Sequence, residues 1–271
     1  MDDALAHWLA LREAADVAAR SEALTRQVID SLPQRQPIHV VDLATGTGSN
    51  IRYLMDRLPR PQHWLAVDRS ATLLAHLGRR MAGVQGPDVQ IETRQSNLGT
   101  LEDRTLFAGR QLVTASALLD LVSAGWLRDL AARCQAAGAS ALFTVTYNGR
   151  TSCTPSEPED ALVLELFNQH QRTDKGLGGI AAGPDAPAAA AQGFASAGFI
   201  VRLEPSDWVL GPDLRDMQRL LIEGWAHAAT EISPQRGADI AAWLARRLAH
   251  VDAGRSHITV GHDDLAAIPD R

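Results

Sequence analysis

The amino-acid sequence predicts an α/β fold built on a doubly wound, mainly parallel sheet, and three observations lead to this prediction. A mostly apolar, β-branched run, Ile38–Leu43, precedes glycines 46 and 48 and then a helical pattern, as expected of a parallel strand covered on both faces. Strand-like and helix-like segments continue to alternate as far as Tyr147, which is typical of βαβ units. The last strand-like segment, 256–262, alternates polar and apolar residues.

Composition and charge favour a globular chain and argue against several classes of function. The 271 residues are 45% hydrophobic and carry a formal net charge of −6, which suits one large core. No basic stripe with interleaved aromatic residues is present, so we expect no nucleic-acid partner. The two cysteines, Cys134 and Cys153, are too few for a disulfide framework or a zinc site, and we expect no metal. No apolar run reaches membrane-spanning length and no basic signal start is seen, so we expect no membrane span and a cytoplasmic location.

The segment 1–33 is predicted to be helical. Apolar residues recur at helical spacing from Leu5 to Val28, and prolines at 33 and 37 separate this segment from the first strand. Arg12 and Arg20 lie within it, and two interpretations stay open. They belong to a solvated helix face, or one of them reaches an anionic group at the functional site.

The glycine-containing turn after the first strand predicts a ligand site. Gly46 and Gly48 permit backbone angles closed to other residues and let a ligand approach the chain closely. A phosphate-binding P-loop would need a Lys-Ser/Thr pair, which is missing, and the third glycine position of a dinucleotide fingerprint is Ile51. Neither motif explains Asp42, the acid at the end of the strand.

The run Asp-Leu-Ala-Thr-Gly-Thr-Gly at 42–48 resembles motif I of the class I S-adenosylmethionine (SAM)-dependent methyltransferases, with Ala44 where many members have a glycine. A second match lies at 64–70, an apolar strand that ends in Asp68, followed by Ser70 as a helix cap. The resemblance implies SAM as cofactor and implies that Asp68 binds the ribose hydroxyls. The cofactor-binding residues expected from it are Asp42, Ala44, Thr45, Gly46, Gly48, Asn50, Asp68, Arg69, Asn97, Leu98 and Ser116.

The resemblance also implies a seven-stranded, mainly parallel sheet whose last strand is antiparallel. Further core strands are predicted at 89–93, 111–115 and 141–147. Asn97 follows the first of these, and its amide suits the edge of an adenine ring. The alternative, a turn residue before Gly99, stays open.

Two positions near the strand ends are candidates for the acceptor side. Asp120 is the one acid in an apolar run after the fourth strand, where motif IV of the family lies. A carboxylate among leucines is costly unless it is paired or faces a site. Tyr147 and Asn148, at the end of the fifth strand, are expected to point into the same crevice and to bind substrate.

Two insertions, 150–192 and 208–254, have no counterpart in the resemblance and are predicted to add a helical lid. Within the first, the run 168–179 is densely polar and ends in glycines, as in loops that close over sites. We expect Arg172 or Lys175 to contact an anionic acceptor. A solvated surface loop is the alternative.

The sequence therefore predicts one methyltransferase domain over residues 1–271, with its core at 36–147, 194–205 and 256–268. The expected reaction is methyl transfer from SAM to a small molecule, with Asp120 or His170 as the base. A non-catalytic SAM- or nucleotide-binding module is the alternative, and an NAD-dependent oxidoreductase is a further one. The oligomeric state stays open.

Overall fold

The computed structural model describes residues 2–34, 36–84 and 86–270. The strands are β1 Ile38–Leu43, β2 Gln62–Asp68, β3 Val89–Gln95, β4 Leu112–Ser116, β5 Ser140–Thr154, β6 Phe199–Pro205, β7 Trp208–Leu210 and β8 His257–Pro269. The α-helices of the described residues are α1 Asp2–Ala19, α2 Glu22–Ser31, α3 Ser49–Met55, α4 Ala71–Met81, α5 Ala124–Ala137, α6 Asp160–Gln171, α7 Ala186–Ser196, α8 Arg215–Ile232 and α9 Gly237–Asp252. None of these helices combines the length and the apolar character needed to cross a bilayer.

The strands form one sheet in the order β3-β2-β1-β4-β5-β8-β6, and β7 pairs with β8. Strands β1 to β5 pair in parallel, whereas β8 is antiparallel to β5, β6 and β7. The predicted doubly wound, mainly parallel sheet with an antiparallel last strand is confirmed. Because the chain order reverses between β1 and β4, a crevice opens at their carboxyl ends, where ligands bind in such sheets.

The sheet differs from the sequence prediction along one end. It has eight strands in the part of the chain that the structure describes, because the short β7 adds to the seven expected. Strand β5 also continues to Thr154, into the insertion 150–192 that the sequence analysis assigns to an added helical lid. Residues Thr151 to Thr154 pair with β8, and this partner lies about a hundred residues away in the sequence, beyond the reach of local patterns.

Apolar residues cover both faces of the sheet. In β1, Val40 packs with α2, α3 and α4 on one face, and its neighbour Val41 packs with α5 and α7 on the other. This alternation accounts for the nearly continuous apolar strands. A third apolar cluster lies among α6, α8, α9 and the outer part of β5, and it contains the buried Trp225 and Trp243.

A bulge in β5 sets the direction of the strand beside the crevice. Val145 has a φ of +55°, which is unusual for a β-branched residue. Its backbone N–H donates to Oδ1 of the fully buried Asp264 at 2.8 Å. After the bulge, Tyr147 pairs with His262 of β8. Bulges of this kind re-aim side chains next to functional sites.

Candidate functional site

A cavity of about 240 Å³ lies at the carboxyl ends of β1, β2 and β4. The turn after β1 forms its floor, the loop after β3 and the end of β4 form its sides, and α1 lies across it. Most of the residues that the resemblance implies for cofactor binding line this cavity. They are Asp42, Ala44, Thr45, Gly46, Asn50, Asp68, Arg69, Leu98 and Ser116.

The turn between β1 and α3 depends on left-handed backbone angles. Ala44, Gly46 and Gly48 have φ values of +52°, +57° and +83°. A positive φ at position 44 favours glycine, the residue that many members of the resembled family have there. A Cβ at position 46 would lie 3.0 Å from Cδ1 of Leu9 on α1. Gly48 does not line the cavity, and a Cβ there would lie 3.0 Å from Leu77 of α4. The turn is therefore closely packed on both sides.

Asp42 supports this turn from below. Its carboxylate accepts hydrogen bonds from Oγ1 of Thr45 at 2.5 Å and from Nδ2 of Asn50 at 2.6 Å. The Asn50 side chain in turn accepts one from Nη1 of Arg20 at 2.7 Å. Complete burial raises the pKa of Asp42 to about 6, against the effect of these hydrogen bonds. Arg20 therefore acts behind the turn and does not line the cavity.

Asp68 joins the end of β2 to the glycine turn. Its Oδ2 accepts from the Gly46 backbone N–H at 2.9 Å, and its Oδ1 accepts from the Ser70 N–H at 2.9 Å. Each carboxylate oxygen can accept a further hydrogen bond, and Asp68 lines the cavity. The group can thus bind a pair of hydroxyls without giving up its structural contacts.

The face of α1 that covers the cavity is the main part of the site that the sequence analysis did not assign, apart from Arg12, for which a role at the site stayed open. Asp2, Leu5, Leu9, Arg12 and Asp16 line the cavity. They recur at intervals of three and four residues, so they share one helix face. This regular spacing of mixed polar and apolar residues was the signal available in the sequence. The solvated-face interpretation does not hold for Arg12, which is 9% exposed.

Two hydrogen-bonded contacts fasten α1 over the cavity. Ser70 Oγ donates to Oδ2 of Asp2 at 2.6 Å. Arg52 of α3 donates through Nε and Nη2 to the two carboxylate oxygens of Glu13, each at 2.7 Å. The helix is therefore held against both α3 and the start of α4.

Asp120 lies next to the cavity and is 7% exposed. Its neighbours Leu118 and Leu121 line the cavity, although Asp120 itself does not. Oδ1 of its carboxylate has no hydrogen-bond partner among the described residues. Burial raises the pKa of Asp120 to about 6, opposed chiefly by its own backbone N–H and by the charge of Arg12.

His262 is a second buried polar residue at this end, and the sequence analysis did not single it out. Its ring centroid lies 4.6 Å from that of Trp208 and 6.1 Å from that of Tyr147. Burial, and then the charge of Arg12, lower the pKa of His262 to about 3, so the imidazole is neutral. Its Nδ1 has no partner within residues 2–34, 36–84 and 86–270. Only the pairing of β8 with β5 brings it here.

The remaining acceptor-side candidates do not line the cavity. Tyr147 donates its hydroxyl to Oδ1 of Asn168 at 2.8 Å, and Asn148 accepts from the Arg150 N–H at 3.2 Å. Arg172 donates to Asp185 at 2.9 Å on the surface. Each of these side chains has a partner within the fold, although Nδ2 of Asn148 has none among the described residues.

Of the run 168–179, only the apolar Leu177 is among the described residues that line the cavity. Lys175 Nζ donates to the His170 carbonyl at 2.9 Å, and His170 Nε2 lies 3.0 Å from a Glu231 oxygen. Leu177 lines the cavity.

Asn97 is exposed and accepts from the Gly99 N–H at 2.9 Å, in the manner of a turn residue. Its neighbours Ser96 and Leu98 line the cavity instead. No group of three or more metal-ligating side chains is found in the described residues.

Comparisons with known proteins support the fold. No family model and no curated protein matches the sequence. A phosphoethanolamine N-methyltransferase 2 from Haemonchus contortus, solved in complex with SAM, aligns with a TM-score of 0.50 and 16% identity over 100% of this chain and 58% of that one. The YcgJ protein of Bacillus subtilis aligns with a TM-score of 0.50 and 14% identity over 93% of this chain and 100% of that one. The chain thus has the fold of class I SAM-dependent methyltransferases.

Proposed function

We propose that this protein transfers a methyl group from SAM to a small-molecule acceptor. The observation that carries the proposal is the Asp68 carboxylate bound to the Gly46 N–H in the wall of a cavity at the β1–β4 crevice. A strand-end acid beside a glycine turn can accept the hydroxyls of a ribose while the turn leaves room for the adjoining chain of the ligand.

The residues present fit this cofactor. Four carboxylates, but only two guanidinium groups, are among the described residues that line the cavity. This excess of negative charge suits a ligand with a sulfonium and an ammonium group. Buried hydroxyl oxygens of Thr47 and Ser116 in the cavity wall have no hydrogen-bond partner among the described residues, so polar groups of the ligand would find partners there.

Bound SAM would supply an electrophilic methyl carbon for the lone pair of the acceptor, with sulfur as the leaving group. Asp120 would accept the proton that an oxygen or nitrogen acceptor loses, and then release it to solvent. Its raised pKa of about 6 leaves it ionised at neutral pH and a better base than an ordinary carboxylate. Leu118, Leu121 and Leu177 would exclude water from the reacting groups.

The small size of the acceptor is part of the proposal. The cavity is covered by α1 and flanked by Leu177, and this enclosure favours a small acceptor. The Haemonchus contortus protein named above is a phosphoethanolamine N-methyltransferase, so this fold accommodates small acceptors. The run 168–179, which contains His170, Arg172 and Lys175, is a candidate lid, and its Leu177 would cover the bound acceptor.

Isothermal titration calorimetry with SAM, S-adenosylhomocysteine and NAD⁺ tests the cofactor. We expect binding of the first two and none of NAD⁺, and the reverse pattern would favour an oxidoreductase. To test the acceptor, the protein is incubated with methyl-labelled SAM and either the low-molecular-weight or the macromolecular fraction of a cell extract. Label transferred to the small molecules supports the proposal. SAM binding without transfer to either fraction would favour a non-catalytic binding module, and label in the macromolecules would contradict a small acceptor.

A further inference from the structure

Arg12 lines the end of the cavity that faces β7, and two buried groups behind that end, Asp120 and His262, each have one atom with no hydrogen-bond partner among the described residues. Arg12 comes from α1, Asp120 from the loop after β4, and His262 from β8. The Trp208 ring contacts both Arg12, whose Cζ lies 5.1 Å from its centroid, and His262, whose ring centroid lies 4.6 Å away. Leu118 and Leu121, which flank Asp120 in the chain, line the same cavity. Because a buried polar atom without a partner is costly, the unpaired Oδ1 of Asp120 and Nδ1 of His262 favour a polar ligand beside Arg12.

Arg12 is held in place by one edge of its guanidinium. Its Nε donates to Oδ2 of Asp16 at 2.9 Å, and its Cζ lies 5.1 Å from the ring centroid of Trp208. Trp208 Nε1 donates to the other oxygen of Asp16 at 3.0 Å. The terminal nitrogens Nη1 and Nη2 have no hydrogen-bond partner in the part of the chain that the structure describes, although the side chain is 11% exposed and lines the cavity. An oriented pair of donors therefore remains free for a ligand.

The position of Arg12 assigns it to the acceptor and not to the cofactor. Leu9, one helical turn earlier, is the α1 residue that packs on Gly46 of the cofactor turn. Arg12 lies beyond it, with its guanidinium against Trp208 of β7. The other nearby cation, Lys175, donates to the His170 carbonyl and to Thr173, and it does not line the cavity.

We propose that Arg12 binds a carboxylate of the methyl acceptor, and that the acceptor is a small carboxylic acid with a neighbouring O–H or N–H group directed at Asp120. This assignment rests on the proposed methyl transfer. The planar guanidinium donates two parallel hydrogen bonds to a carboxylate. The unpaired Oδ1 of Asp120 accepts from the neighbouring protic group, and Trp208 and His262 supply an aromatic surface beside it.

Calorimetry on the protein loaded with S-adenosylhomocysteine tests the assignment. The probes are lactate, salicylate and anthranilate, each compared with its neutral amide. We expect at least one acid to bind ten times or more tightly than its amide. Arg12→Met should abolish this preference and leave the affinity for S-adenosylhomocysteine within twofold of wild type. The matched control is Arg219→Met, which removes a surface arginine paired with Asp252 and should keep the preference.

Three results would overturn the assignment. The first is that no acid is preferred over its amide. The second is that Arg12→Met weakens S-adenosylhomocysteine but not 5′-methylthioadenosine, because Arg12 would then bind the carboxylate of the cofactor. The third result comes from Arg12→Lys, the variant to use if Arg12→Met does not fold. Lysine keeps a positive charge beside Asp16 but lacks the planar pair of donors. Arg12→Lys should lower the preference at least threefold, and an unchanged preference contradicts the assignment. Failure of the wild-type protein to bind S-adenosylhomocysteine would instead overturn the proposed function itself.

Discussion

Replacing Asp68 by Asn tests the central contact of the proposed cofactor site. The carboxylate accepts the Gly46 and Ser70 N–H groups at 2.9 Å each and would accept the ribose hydroxyls as well. Hydrogen bonds to a charged group contribute about 1.5–3 kcal/mol, and the amide retains one of the two oxygens. We therefore expect the affinity for S-adenosylhomocysteine to fall by about 2–3 kcal/mol, roughly 30- to 150-fold. The free energy of unfolding should fall by about 1–2 kcal/mol, because one backbone N–H loses its acceptor.

The assay is calorimetry with S-adenosylhomocysteine, adenosine and 2′,3′-dideoxyadenosine, together with a thermal melt. Wild-type protein should prefer adenosine to the dideoxy compound, and Asp68→Asn should remove that preference. Asp103→Asn is the control, since Asp103 accepts a backbone N–H at 2.9 Å and a hydroxyl at 2.6 Å from Thr105 but does not line the cavity. Equal losses for adenosine and its dideoxy analogue, in a folded Asp68→Asn protein, would refute the ribose assignment.

Three further changes test other parts of the site. Gly46→Val should abolish S-adenosylhomocysteine binding in calorimetry with a moderate drop in melting temperature, because φ is +57° and Leu9 lies in the way; retained binding would place the cofactor elsewhere. Asp120→Asn should lower kcat by about 10²-fold. It should also remove the fall in wild-type kcat below about pH 6, where the base becomes protonated, and an unchanged dependence of kcat on pH would exclude Asp120 as the base. Ala44→Gly should leave the free energy of unfolding unchanged or raise it by up to about 1 kcal/mol, because φ at this position is +52°. The control, Ala132→Gly at an exposed position of α5, should lower the free energy of unfolding by about 1 kcal/mol. Equal losses in the two variants would contradict backbone strain at Ala44.

Strained backbone and buried acids concentrate around the crevice. Ala44, Ala117 and Val145 all have positive φ, and Ala44 and Ala117 line the cavity. Burial raises the pKa of Asp42 and of Asp120 to about 6. Strain and desolvated carboxylates persist only where the surrounding packing holds them, and they cluster at functional sites.

The sequence by itself determined the central part of the protein, because the signals there are local. Apolar β-branched runs, cap residues and the glycines after β1 are read within a window of about ten residues. They predicted the parallel strands and the turn, and they placed Asp42 and Asp68 at adjacent strand ends. Parallel strands with short crossovers bring their carboxyl ends to one edge of the sheet. The residues on the cofactor side of the candidate site could therefore be predicted from the sequence.

Only the tertiary structure decided the other half of the cavity. Arg12 and His262 lie 250 residues apart in the sequence, and both contact Trp208 because β8 returns antiparallel to β5 while α1 crosses the crevice. In the same fold Arg172 is paired with Asp185 and Lys175 with His170, and neither residue lines the cavity. Side-chain direction at such positions depends on long-range strand register and helix docking, and a shift of one residue in register reverses it.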